Sequence, residues 1–93
     1  MLDRERFEAR LGRRICFLGN TREYLLLERL NRRPGTFVSY DGLRADVWRD
    51  ERTAKNTIQR TVSNLRRCLE SERFEGILID GSQPGHYRLV LPA

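Results

Sequence analysis

At 93 residues the chain has room for one small domain around a single core. Charged residues make up 33% of it, and 18 basic against 13 acidic groups leave a surplus of +5, a balance that suits a polyanionic partner. No apolar run approaches a membrane span or a signal-peptide core, and no paired acid and base or activated nucleophile stands at a suggestive spacing, so a membrane anchor and an enzyme are both disfavoured.

The first predicted element is a hairpin. Residues 7–11 and 15–18 flank Gly12-Arg13-Arg14, a glycine-led turn between two apolar runs. Asn20 then stands three residues before Glu23, the spacing of a capping box, and Tyr24, Leu26, Leu27 and Leu30 give the helix that follows one apolar face to about Arg32. Pro34-Gly35 ends it. Thr36-Phe37-Val38 reads as a short strand, with Tyr24 and Phe37 taken as core residues. Ser39 or Asp41 caps a second helix that buries Leu43, Val47 and Trp48.

Residues 49–52 form a charged loop. A third helix over about residues 53–70 carries Ile58, Val62, Leu65 and Leu69 at i, i+4, i+7 and i+11, the spacing of a buried stripe. Residues 77–80 and 86–91 bracket Gly81-Ser82-Gln83-Pro84-Gly85 and predict a closing hairpin. Two helices joined by a short loop and followed by a two-stranded wing describe an α+β winged helix-turn-helix, a single domain over residues 1–93.

Charge concentrates on the third helix. Between Arg52 and Leu69 stand Arg52, Lys55, Arg60, Arg66 and Arg67 with no acid, so this window holds the whole surplus. At about 100° per residue, the side opposite the apolar stripe presents Asn56, Arg60, Ser63, Asn64 and Arg67, with Gln59 and Arg66 beside them. Arginines there can neutralise phosphates, while short amides and hydroxyls can read base edges in a major groove. An ordinary solvated helix face interleaves Glu with Lys; this one keeps acids off. The reading requires Arg60, Asn64 and Arg67 to stand open and free of carboxylates.

Cys16 and Cys68 lie far apart without CxxC spacing. A disulfide between them stays open, but both sit in apolar-periodic segments, and a reduced pair in a cytoplasmic protein is the expectation. Cys68 is then a small buried hydrophobe. His86 has no second ligand at a useful spacing, so no metal, cofactor or catalytic role is assigned.

The ordered motifs resemble a known family. Asn20-Thr21-Arg22-Glu23-Tyr24-Leu25-Leu26-Leu27, Pro34-Gly35-Thr36-Phe37-Val38-Ser39, Leu43 with Val47-Trp48, Leu65-Arg66-Arg67-Cys68-Leu69 and Gly85-His86-Tyr87-Arg88-Leu89 are together similar to OmpR/PhoB-type winged-helix effector domains, over about residues 6–91. The resemblance implies a bacterial response-regulator transcription factor that binds double-stranded DNA and takes part in two-component signalling. Carried over by position, Gln59, Arg60, Ser63 and Asn64 would face bases, and Lys55, Asn56, Thr61, Arg66 and Arg67 would face the DNA backbone. The wing would offer Gln83, His86 and Arg88, and the loop Arg49, Asp50, Glu51 and Arg52 would meet RNA polymerase. The resemblance also implies a receiver domain ahead of this one, and pairing of two copies on DNA of an otherwise monomeric domain.

Two departures from the family pattern stand out. Several third-helix positions that are often arginine in the family are Asn56, Thr61, Ser63 and Asn64 here. Asp80 occupies a wing position where the family commonly has arginine, and an acid facing phosphates would be repelled; on that reading Asp80→Arg tightens DNA binding. A winged helix that has lost DNA binding and serves protein interaction is the first rival. A basic module for membrane surfaces or RNA is the second, disfavoured because the basic face lacks interleaved aromatics.

Overall fold

A computed structural model describes residues 2–92. The N-terminal hairpin forms as expected and gains a strand. β1 (Leu2–Asp3) pairs antiparallel with β2 (Glu8–Leu11), which pairs with β3 (Arg14–Phe17). The register Leu11↔Arg14 leaves Gly12-Arg13 as a two-residue turn, and Gly12 sits at φ 59°, where a side chain would be strained.

Helix α1 (Arg22–Asn31) buries Tyr24, Leu26, Leu27 and Leu30. Its cap corrects the sequence reading. Thr21, not Asn20, is the N-cap; its Oγ1 accepts from Tyr24 N at 3.4 Å and donates to Leu18 O at 2.9 Å. Threonine satisfies an orphan amide of the first turn as asparagine would, and the one-residue shift frees Glu23 from the capping box.

The next strand is also displaced. β4 is Val38–Ser39 rather than residues 36–38, and Phe37, expected in the core, is half-buried beneath the Arg88 guanidinium, 4.6 Å from its ring centroid. Ser39 caps α2 (Tyr40–Leu43) by accepting from Gly42 N at 3.0 Å, and the helix runs on as a wider π-helical turn, Arg44–Trp48. Leu43 and Val47 are buried, while Trp48 packs against the core and stays half-exposed.

Helix α3 (Lys55–Ser71) buries the expected stripe, with Ile58, Val62 and Leu65 at 0% exposure and Leu69 at 3%. β5 (Leu78–Asp80) and β6 (His86–Val90) make the wing. β6 is shared: its outer half pairs with β5 up to Asp80↔Arg88, and its first residues pair with β4 through Val38↔Tyr87 and Ser39↔His86, giving the order β4-β6-β5. The wing is therefore rooted in a three-stranded sheet beside the helix-turn-helix, and one continuous core links it to α1, α3 and the N-terminal sheet.

The cysteines are a second correction. Cys16 in β3 and Cys68 in α3 are joined as a disulfide across 52 residues, with Cα atoms 6.7 Å apart. The apolar setting read from the sequence was right for Cys16, at 0% exposure. It brought the two sulfurs together instead of isolating them: Cys16 of β3 meets Cys68 near the end of α3, where Arg14 of β3 also donates to Arg73 O.

Candidate nucleic-acid interface

Burying one side of α3 fixes the other. Lys55, Asn56, Arg60, Ser63 and Arg67 are exposed, and Gln59 lies half-buried at the edge of the same face. Among the described residues, Lys55, Arg60 and Arg67 enter no ion pair and no side-chain hydrogen bond. The first turn of α3 adds to this. Its N-cap is Ala54, whose side chain caps nothing, and no acid stands in the turn, so the positive end of the helix dipole is left open.

Three residues expected on this face are placed differently. Thr61 is 7% exposed and its hydroxyl donates to Thr57 O at 3.0 Å. It falls three residues after Ile58 and joins the buried stripe instead of the exposed face. Asn64 is half-buried toward α1, and its Nδ2 donates across 3.5 Å to Glu23 Oε1. Of the three side chains required to stand open, Arg60 and Arg67 do, and Asn64 leans against a carboxylate. Arg66 is exposed in part, but its Nε and Nη2 both donate to Ile79 O, at 3.1 and 2.5 Å, and its guanidinium lies 5.8 Å from the Tyr87 ring centroid.

The wing corrects the reading of Asp80. Its Oδ1 accepts from Ser82 N at 2.8 Å and its Oδ2 from Arg88 Nε at 2.7 Å. These bonds, the backbone one from Ser82 first and that from Arg88 next, hold the carboxyl below the usual carboxylate range. Asp80 thus spends its charge on Arg88, and Arg88 is not a free wing cation. Gln83 is exposed at the tip, where its carbonyl accepts from His86 N at 3.1 Å. His86 is half-buried, with Nδ1 2.9 Å from Pro84 O and the ring edge-on to Phe37. Tyr87 is buried and stacked on Tyr40, their hydroxyls 3.4 Å apart. Burial, followed by the hydrogen bond to Tyr40, pushes its phenol up to about 12, so Tyr87 is a neutral packing residue of the wing root.

The loop after α2 is exposed at Arg49, Asp50, Glu51 and Arg52. Asp50 organises it, taking Arg52 N on Oδ1 at 2.9 Å and Thr53 Oγ1 on its carbonyl at 2.7 Å. Arg49 adopts φ 54° at the end of the π-helical turn. Arg44 anchors the far side through Nε to Thr53 O at 2.8 Å. Sequence reasoning missed Arg44, which lies on no periodic face, and it assigned Glu23 to the helix cap, because its partner Asn64 stands 41 residues away.

Among the described residues no group of three or more His, Cys, Asp or Glu side chains is placed to hold a metal ion, and no helix is long and apolar enough to cross a membrane. What the arrangement offers is a cationic helix face, free of acids from Lys55 to Leu69, beside a rooted hairpin. A search of the curated proteins returns no match. The family model described as "Transcriptional regulatory protein, C terminal" matches residues 17–89, which run from before α1 to the last residue but one of β6 and include every residue of the face just described. The chain belongs to that family and is a winged-helix, DNA-binding domain of the response-regulator type, with a regulatory role in transcription.

Proposed function

We propose that this domain binds double-stranded DNA sequence-specifically by laying α3 in the major groove, with Gln59, Arg60 and Ser63 toward base edges and Lys55, Asn56 and Arg67 toward phosphates. The observation that carries the reading is the exposure of Arg60 and Arg67, without carboxylate partners among the described residues, on the side opposite Ile58, Val62, Leu65 and Leu69. Arginine in such a position has two outlets: its planar fork matches a guanine edge or a phosphate. The uncapped first turn of α3 with Lys55 suits a phosphate of the groove wall. Asn64 stays at the margin, where reading a base requires it to leave Glu23.

The wing contributes chiefly through its tip at Gln83 and His86, since Arg88 is neutralised by Asp80. One domain spans few contacts, so tight binding takes two copies on repeated half-sites. The exposed loop at Arg49, Asp50, Glu51 and Arg52 faces RNA polymerase in this reading, and a receiver domain controls the pairing. The place of action is the cytoplasm, and no catalytic step is involved.

Binding-site selection from a random duplex pool tests this directly. Enrichment of a repeated short motif supports it. A pool that stays random, with no retention even at low salt, supports instead a winged helix given over to protein contacts.

A further inference from the structure

We propose that Arg66 is a positioning residue that sets the angle between α3 and the wing through the carbonyl of Ile79, rather than a phosphate ligand. Its consequence for binding rests on the duplex reading above; its geometry does not. Arg66 sits on the flank of α3 that faces β5, the edge strand of the order β4-β6-β5. An edge strand offers backbone groups without a neighbouring strand to take them. Nε and Nη2 of Arg66 converge on one such group, Ile79 O, at 3.1 and 2.5 Å, and the Ile79 side chain is buried at 4% exposure. The strand is thus held from both sides, by the core and by the guanidinium.

Two further observations make this one rigid block. The Arg66 guanidinium lies 5.8 Å from the Tyr87 ring centroid, a cation over an aromatic face, and Tyr87 is itself stacked on Tyr40 at the start of α2. At Gly81, the first tip residue, a Cβ would lie 2.8 Å from Tyr87 Cε1 and 3.7 Å from Arg66 Nη2. The wing stem therefore runs too close to the Tyr87 ring for a side chain at Gly81, while Arg66 stands in ordinary contact with it. β5 is only three residues long, and without Arg66 its short ladder to β6 and the buried Ile79 side chain are what hold the stem. With Arg66, α3 and the wing meet a duplex already set to one another, which lowers the ordering cost of binding. Lysine cannot reproduce the grip, because it lacks the planar fork.

The test compares wild type, Arg66→Ala and Arg66→Lys by amide relaxation of residues 78–90 in the free protein, and by the salt dependence of binding to random-sequence duplex. In Arg66→Ala the amides of residues 78–82 become mobile while those of α1 do not. Affinity falls about tenfold, and the slope of log affinity against log salt stays that of wild type. Arg66→Lys keeps the slope and recovers part of the order. A wing as rigid as wild type in Arg66→Ala, or a slope reduced by about one, overturns the proposal and returns Arg66 to the phosphate set. If Arg66→Ala fails to fold, Arg66→Lys decides: wing amides looser than wild type support the clamp, and equal order overturns it. If wild type binds no duplex, the DNA reading fails by itself, and relaxation of the free protein still decides the role of Arg66.

Discussion

Asp80 and Arg88 face each other across the rung of the wing nearest its tip, joined by a 2.7 Å bond from Nε to Oδ2. An acid that seemed to stand against DNA phosphates instead neutralises the nearest wing cation, so the two charges vanish together from any long-range view of the wing. Asp80→Asn is expected to free Arg88, raise affinity for any duplex and steepen the salt slope by about 0.9, the value of one further phosphate contact. Salt titrations of wild type and variant measure this; equal slopes would mean that Arg88 stays bound to the Phe37 ring.

The same pair gives a pH dependence. The folded-state pKa of Asp80 lies below its ordinary value, so the carboxylate contributes stability above the unfolded pKa, and that contribution disappears as pH falls through the lowered folded value. Wild type should therefore melt higher than Asp80→Asn at neutral pH, and the two should converge in acid below the normal carboxylate range. Melting curves across that window check it. A constant gap between the curves would assign the difference to packing.

Reduction of the Cys16–Cys68 disulfide should lower stability strongly. Closing a loop over a separation of 52 residues corresponds to about 3–4 kcal/mol in the chain-entropy account. For a domain of this size that is a fall in Tm on the order of 20 °C. Melting with and without a thiol reductant, and of Cys68→Ala, measures it; a reductant that moves wild type but not Cys68→Ala isolates the bond.

Leu65 has no exposed surface and lies at the centre of the α3 stripe. Leu65→Ala should cost about 2–5 kcal/mol and remove DNA binding only as the domain unfolds. Denaturant titration alongside binding checks that the two losses coincide.

How far the sequence was legible depends on whether a residue acts through period or through a partner. The α3 stripe, the Gly12-Arg13 turn and the closing hairpin were readable because periodicity and turn chemistry are local. Thr61 also carried a local signal, standing three residues after Ile58 and four before Leu65, and its polar side chain masked it. Asn64, Arg66 and Asp80 gave no such signal. Each is placed by a group far along the chain or across a strand, Glu23, Ile79 O and Arg88 in turn, and no spacing within α3 or the wing announces those partners. The Cys16–Cys68 bond belongs with them: the burial of Cys16 was legible, Cys68 is half-buried rather than buried, and no spacing announces that the two meet. The Asn20-to-Thr21 shift of the cap is the ordinary one-residue ambiguity of a helix start where two capping residues are adjacent.

Base readers and phosphate grippers on α3 should separate by mutation. Arg60→Ala is expected to cost about 1–3 kcal/mol on a selected site and to relax preference at one position, whereas Arg67→Ala should weaken all duplexes alike and lower the salt slope by about one. Competition binding against a selected site and a scrambled one distinguishes them. Identical losses on both sequences for both variants would leave Arg60 without a reading role.

The most direct test is a chemical-shift titration of the labelled domain with duplex at low salt. The account predicts that amide and side-chain signals of Asn56, Gln59, Arg60, Ser63 and Arg67 move together, with those of Gln83 and His86 at the wing tip. Shifts confined to the N-terminal sheet, with α3 unmoved at saturating duplex, would contradict it.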